Sequence, residues 1–91
     1  MTKKKILYVE DDETLGFLTA DSLESKYDVS HFTNGNIAFE SFCVSSYDLC
    51  ILDVMLPDMD GFEIATAIRK RNQEIPILFL SAKTMKEDRI K

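Results

Sequence analysis

Three short runs of apolar residues constrain the fold of this chain more than any other feature of its sequence. Residues 6–9, 49–52 and 77–80 carry no charged side chain. A strand covered by helices on both faces has such a continuous run, whereas a strand with one face in water alternates between apolar and polar residues. The runs therefore predict buried parallel strands, which need crossover segments to join them.

The segments between these runs have the spacing of amphipathic helices. Leu15, Leu18 and Leu23 share one helical face after the first run. Further helices are predicted over residues 37–45, 62–71 and 84–91, and one more strand over residues 28–32. The resulting order, β-α-β-α-β-α-β-α, predicts an α/β fold with a parallel sheet and helices on both faces.

Size and charge exclude several classes of protein. The chain has 91 residues, enough for one small domain, and a net charge of −5, which argues against nucleic-acid contact by this segment. No apolar run approaches the roughly 18 residues of a membrane helix. Cys43 and Cys50 lack a metal-ligand spacing, and we expect them to be reduced core residues of a cytoplasmic protein.

Polar residues follow the apolar runs. Glu10 and Asp11 come after the first run, Asp53 after the second and Ser81 after the third. If the parallel sheet has the flavodoxin-like strand order 2-1-3-4-5, the first and third strands are neighbours about 4.8 Å apart, and the three acids should meet. Carboxylates so close repel each other, and a cation with oxygen ligands, Mg²⁺, would relieve that repulsion. Alternatively, acids after the first strand cap the next helix, a role expected of Asp12 or Glu13.

An aspartate beside such a cation can act as a nucleophile. Its ordinary pKa of about 3.9 leaves it ionised at neutral pH, so no general base is needed. Asp53 could therefore accept a phosphoryl group and form an aspartyl phosphate. The Ser81 hydroxyl could reach a phosphoryl oxygen from the neighbouring strand, or could instead cap the following helix.

Three segments, residues 6–13, 47–61 and 75–83, carry a resemblance that runs through residues 1–91. Together they resemble the receiver domain of bacterial two-component response regulators, with most similarity to the OmpR/PhoB-type subgroup. It implies a CheY-like fold, a phosphoacceptor rather than a turnover enzyme, a sensor histidine kinase as phosphoryl donor, and a transcriptional output domain outside this segment.

The same resemblance implies roles for individual residues. Asp53 is the phosphoacceptor, and Ser81 supplies the switch hydroxyl. Glu10, Asp11 and Asp53 would hold Mg²⁺ together with the backbone carbonyl of Met55, with Glu10 binding directly or through water. Pro57 and Gly61 shape the loop after Asp53.

Receiver domains have five βα units, and this sequence provides the residues of four. We therefore expect a domain truncated before the fifth strand and lacking the family's lysine, for which Lys83 is a poor substitute. The edge of residues 77–80 and one face of the first and third strands should be uncovered. A homodimer or strand-exchanged oligomer through that edge is the expected consequence.

Two alternatives to a phosphoacceptor remain at this point. A degenerate receiver could serve as a non-catalytic protein-interaction module. An enzyme of the haloacid-dehalogenase type is suggested by residues 58–61, although that chemistry needs the first acid at a strand end. His31 is expected to be a partly exposed structural residue without a nearby acid partner, and Phe39 and Phe42 are expected to be core residues.

Overall fold

The computed structural model describes residues 3–54, 56 and 59–80, which form four strands and three helices in alternation. In chain order they are β1 (Lys4–Val9), α1 (Glu13–Leu23), β2 (Tyr27–Phe32), α2 (Gly35–Val44), β3 (Leu49–Asp53), α3 (Gly61–Arg71) and β4 (Ile77–Leu80). The helix predicted over residues 84–91 lies outside the described residues. None of the described helices is long and apolar enough to cross a membrane.

The described sheet is parallel throughout, with the strand order β2-β1-β3-β4. This confirms the predicted flavodoxin-like arrangement. Val9 on β1 lies beside Phe32 of β2 and beside Leu52 of β3. Because β1 and β3 are neighbours that run in the same direction, the residues that follow them reach the same edge of the sheet.

Helices cover both faces of the sheet, and each face has its own apolar core. The core beneath α2 and α3 contains Leu7, Val9, Ala38, Phe42, Cys50, Leu52, Ile64, Ile68 and Ile75. The core on the opposite face contains Ile6, Tyr8 and Ile51, with Leu23 of α1 packed against them. The alternation of β1 side chains between the two cores is the pattern expected of a strand buried on both sides.

The second face is closed at β1 and β3, and the expectation that it would be uncovered was wrong. Ile6, Tyr8 and Ile51 are 1%, 0% and 8% exposed. The physical reason is that partly buried apolar side chains from α1, from the outer strands β2 and β4 and from the start of β3 pack around them. These side chains are Leu23, Tyr27, Val29, Leu49 and Leu80.

A glycine, rather than a row of leucines, brings α1 close to the sheet. Gly16 is buried, whereas Leu18, predicted to lie on the inner face, is 56% exposed. Leu15 and Leu23 are half-buried, so the predicted face was right for these two residues. The helix is turned so that Gly16 lies against His31 of β2.

The aromatic residues of α2 belong to the core, as predicted. Phe42 is buried, and the rings of Phe39 and Tyr47 each stack with its ring. Cys50 is buried, Cys43 is half-buried, and both thiols are free. Burial raises the pKa of the Cys50 thiol to about 11, which keeps it protonated and unreactive at neutral pH.

Candidate functional site

Three acidic side chains meet where β1 and β3 end, as the sequence predicts. Glu10 and Asp11 directly follow β1, and Asp53 is the last residue of β3. One carboxylate oxygen from each lies within 4.8 Å of the others. Glu10 and Asp53 are each 1% exposed, and Asp11 is half-buried. The parallel register of Val9 with Leu52 explains this meeting, because it brings both strands to the edge at the same level.

Hydrogen bonds fix the segment that follows β1. The Glu10 amide donates to the Phe32 carbonyl oxygen at 2.9 Å. The Asp12 amide donates to Glu10 Oε2 at 3.1 Å, and Asp12 Oδ1 accepts a hydrogen bond from the Leu15 amide at 3.0 Å. Asp12 is therefore the residue that caps α1, one of the two predicted for that role. Glu10 and Asp11 remain as the acids of the site.

Burial and neighbouring charge act against ionisation of Glu10. The pKa of Glu10 is raised to about 7, and loss of contact with water is the largest cause. The charge of Asp53 raises this pKa further, whereas the hydrogen bond from the Asp12 amide lowers it. Glu10 Oε1 is buried and accepts no hydrogen bond from the part of the chain that the structure describes. A bound cation would supply that oxygen with a partner and would lower the pKa of Glu10.

The donor set fits Mg²⁺. Three carboxylates provide hard oxygen ligands, and their small number leaves room for the water molecules that Mg²⁺ retains. The buried Glu10 Oε1 supports this fit, because a buried polar atom without a partner costs free energy. The cluster contains neither cysteine nor histidine, the ligands typical of zinc.

Helix α3 begins against the backbone of Asp53. Its first residue, Gly61, donates its amide hydrogen to the Val54 carbonyl oxygen at 3.0 Å. A Cβ at Gly61 would lie 2.4 Å from the Asp53 carbonyl oxygen, so a glycine is needed for this close approach. The structure thus gives a physical reason for Gly61 in the segment after Asp53.

Asp60 is a helix cap rather than a reacting acid. Its Oδ1 accepts a hydrogen bond from the Glu63 amide at 2.9 Å, and Glu63 Oε1 accepts one from the Asp60 amide at 3.2 Å. This reciprocal pair is a capping box at the start of α3. Asp60 therefore does not lie at a strand end. The dehalogenase-type alternative depends on the first acid of this segment, Asp58, which lies outside the described residues.

Some predicted site residues are not described. Met55, predicted to offer a carbonyl ligand, and Ser81, predicted to supply the switch hydroxyl, lie outside the described residues, as does Pro57. The described neighbours are Val54 and Leu80, and the Val54 amide donates to the Leu80 carbonyl oxygen at 3.1 Å. The roles of Met55 and Ser81 therefore stay predictions.

His31 contacts the site in a way that the sequence reasoning missed. Its Nε2 lies 2.9 Å from the Glu10 carbonyl oxygen, and its ring packs against Tyr8 with the ring centroids 5.2 Å apart. The side chain is half-buried, as predicted. The signal that could have revealed the contact is the pairing of β1 with β2, which sets His31 beside Tyr8, close to Glu10.

Sequence comparison identifies one family. The profile of the response regulator receiver domain matches residues 6–91. The transcriptional regulatory protein RprY of Bacteroides fragilis is 48% identical over 87 residues, which cover 94% of this chain and 37% of RprY. This chain therefore spans little more than a third of the length of that relative.

Structure comparison agrees with the sequence comparison. The response regulator TrrA of Thermotoga maritima, solved in complex with Mg²⁺ and BeF, superimposes with a TM-score of 0.82 at 36% identity over 87% of this chain and 70% of TrrA. TrrA solved in complex with the histidine kinase ThkA gives a TM-score of 0.80 at 36% identity, over 87% of this chain and 69% of TrrA.

Proposed function

This chain belongs to the response regulator receiver family, and on that premise we propose that Asp53 accepts a phosphoryl group from a sensor histidine kinase. Glu10, Asp11 and Asp53 would hold Mg²⁺ for this transfer. The observation that carries the proposal is the convergence of three carboxylate oxygens within 4.8 Å at the ends of two neighbouring strands. The chain itself receives the phosphoryl group, so it acts as a phosphoacceptor and not as an enzyme that turns over a substrate.

The position of Asp53 suits phosphoryl transfer. An oxygen of its carboxylate forms a bond to phosphorus while the bond between phosphorus and the donor histidine nitrogen breaks, and the electron pair of that bond stays on nitrogen. Mg²⁺, when bound, neutralises charge on the transferred oxygens. Because Asp53 is 1% exposed, its carboxylate lies where screening by water is weak and a nearby positive charge acts strongly.

The proposed partners come from the relatives. Similarity to TrrA, a regulator solved with the histidine kinase ThkA, supports a kinase as the phosphoryl donor. Similarity to RprY, a transcriptional regulatory protein of which this chain covers 37%, supports a transcriptional output and, with it, a cytoplasmic location. The family resemblance adds the Met55 carbonyl as a metal ligand and Ser81 as the switch hydroxyl.

Beryllofluoride, which mimics a phosphoryl group on aspartate, tests this function. We expect Mg²⁺ and beryllofluoride together to shift the backbone amide NMR signals around Asp53. The shifts should be lost in Asp53→Asn, which keeps the size of the side chain but removes the accepting carboxylate. If the wild-type chain shows no such shifts, the non-catalytic interaction module is the better account.

We also propose that the chain self-associates through β4. Among the described strands β4 lies at one end of the sheet order, so one side of its backbone has no described strand beside it. Leu78 and Phe79 are 54% and 42% exposed, and Phe79 contacts Phe62, itself 56% exposed, with the ring centroids 4.8 Å apart. An apolar edge of this kind favours pairing with the same strand of a second copy.

A further inference from the structure

We propose that His31 is a positioning residue whose imidazole N–H holds the Glu10 backbone, so that the acids after β1 are in place to bind a cation. The inference rests on the proposed function, because it concerns the same Mg²⁺ site. Its evidence is independent of the carboxylates, since it comes from contacts of β2 and α1.

The contact with Glu10 defines which nitrogen of His31 carries a proton. Nε2 lies 2.9 Å from the Glu10 carbonyl oxygen, and a carbonyl oxygen can only accept, so Nε2 is the donor. On the other side of the same residue, the Glu10 amide donates to the Phe32 carbonyl oxygen at 2.9 Å. Strand β2 therefore holds both peptide groups of Glu10, one through a side chain and one through the backbone.

The neighbours of His31 fix its ring in this position. Tyr8 packs against the imidazole at a centroid distance of 5.2 Å and an interplanar angle of 34°. On α1, a Cβ at Gly16 would lie 2.1 Å from both Cε1 and Nε2 of His31. Gly16 thus leaves the space that the imidazole occupies, and an alanine there would push the ring away from Glu10.

Holding Glu10 matters because the acids of the site repel one another. One oxygen of each of the three carboxylates lies within 4.8 Å of the others, and this repulsion pushes the segment of Glu10 and Asp11 outward when no cation is bound. Mg²⁺ demands near-ideal octahedral geometry, so small ligand displacements weaken its binding. A hydrogen bond to the peptide between Glu10 and Asp11 preserves that geometry, as groups behind metal ligands commonly do.

Variants can separate the N–H group from the bulk of the ring. His31→Leu replaces the imidazole with an apolar side chain of similar volume that has no hydrogen-bond donor. His31→Gln removes the ring but retains an N–H donor. Gly16→Ala displaces the ring, and Ser30→Ala, on the same strand, is the matched control. The Mg²⁺ dissociation constant is measured by NMR titration of backbone amides, and the free energy of unfolding is measured in urea without Mg²⁺.

We expect His31→Leu and Gly16→Ala to weaken Mg²⁺ binding about tenfold, and His31→Gln and Ser30→Ala to stay within about twofold of wild type. A purely structural histidine would lower the free energy of unfolding without changing the Mg²⁺ affinity of the folded chain. Wild-type affinity in His31→Leu overturns the inference, and so does an equal loss of affinity in His31→Leu and His31→Gln.

A measurement on the unaltered chain keeps the test decisive if a variant does not fold. Long-range proton–nitrogen NMR at a pH where the imidazole is neutral should show the Nε2–H tautomer, and the Nδ1–H tautomer overturns the inference. If the wild-type chain binds no Mg²⁺, the proposed function is contradicted, and so is the inference that rests on it. Loss of Mg²⁺ binding in Asp11→Asn would show that the ion binds at the acids of the site. If it does so and His31→Leu still binds Mg²⁺ as tightly as wild type, the inference about His31 fails while the proposed function stands.

Discussion

Gly61 approaches Asp53 so closely that a Cβ on Gly61 would lie 2.4 Å from the Asp53 carbonyl oxygen. The N-terminus of α3 is therefore held against the residue that we propose as the phosphoacceptor. Because the clashing atom belongs to the backbone, an added methyl group cannot be accommodated by a side-chain rotation.

Gly61→Ala should therefore destabilise the chain. We expect a loss of about 2 kcal/mol in the free energy of unfolding, since overpacking against backbone forces the helix to shift. Urea unfolding followed by circular dichroism measures this change. The control is Thr66→Ala, an exposed position on the same helix, which should stay within about 0.5 kcal/mol of wild type. Equal stability of Gly61→Ala and wild type would contradict the close approach.

The raised pKa of Glu10 predicts an unusual pH dependence of stability for the metal-free chain. Its pKa is about 7 in the folded state against an ordinary value of 4.5, so the folded state binds the proton more tightly than the unfolded state. The resulting stabilisation is fully present below pH 4.5 and is lost as the pH rises through 7.

We expect Glu10 to make the metal-free chain about 3 kcal/mol less stable at pH 8 than at low pH. Urea unfolding in the presence of a chelator, at a series of pH values, measures the loss. Other groups also titrate in this range, so the relevant quantity is the difference between wild type and Glu10→Gln. A difference that is constant with pH would show that the pKa of Glu10 is not raised.

Removing one charge from the acid cluster should stabilise the metal-free chain. At pH 8 we expect Asp53→Asn to raise the free energy of unfolding by about 1 kcal/mol, because it relieves repulsion with Glu10 and Asp11. Asp21→Asn, on the exposed surface of α1, makes the same change in net charge away from the cluster. Equal effects of the two variants would mean that net charge, and not the cluster, is responsible.

Self-association through β4 should be weakened by a charge at its exposed edge. We expect the wild-type chain to form dimers at high concentration in sedimentation experiments, and Leu78→Lys to shift it toward monomer, since lysine disfavours edge pairing. Val44→Lys is the matched control, because Val44 is 84% exposed at the end of α2. A wild-type chain that stays monomeric at high concentration contradicts this proposal.

The elements and the acid cluster could be predicted because each depends on a local pattern and one topological rule. Continuous apolar runs marked β1, β3 and β4, and the flavodoxin-like order brought the residues after β1 and β3 together. Glu10 and Asp53 therefore emerged as neighbours from the sequence alone. The preference of acids for helix N-termini predicted Asp12 or Glu13 as the cap of α1, and the structure shows that it is Asp12.

Contacts that depend on how closely two elements approach could not be predicted. The exposure of Leu18 follows from a rotation of α1 that turns Gly16 toward His31, and helical periodicity does not define such a rotation. The hydrogen bond of His31 to Glu10 requires both that rotation and the β1–β2 register. Leu23 closes the second face together with side chains of the flanking strands, a contribution that no single segment reveals.

The most direct test of the central claim is phosphorylation of Asp53 in the presence of Mg²⁺. The chain is incubated with acetyl phosphate and Mg²⁺, and its intact mass is measured by mass spectrometry, with Asp53→Asn and a sample containing a chelator as controls. We expect the wild-type chain to gain one phosphoryl group with Mg²⁺ present, and neither control to do so. A phosphoryl adduct that persists in Asp53→Asn, or a wild-type chain that gains none, would contradict Asp53 as the phosphoacceptor.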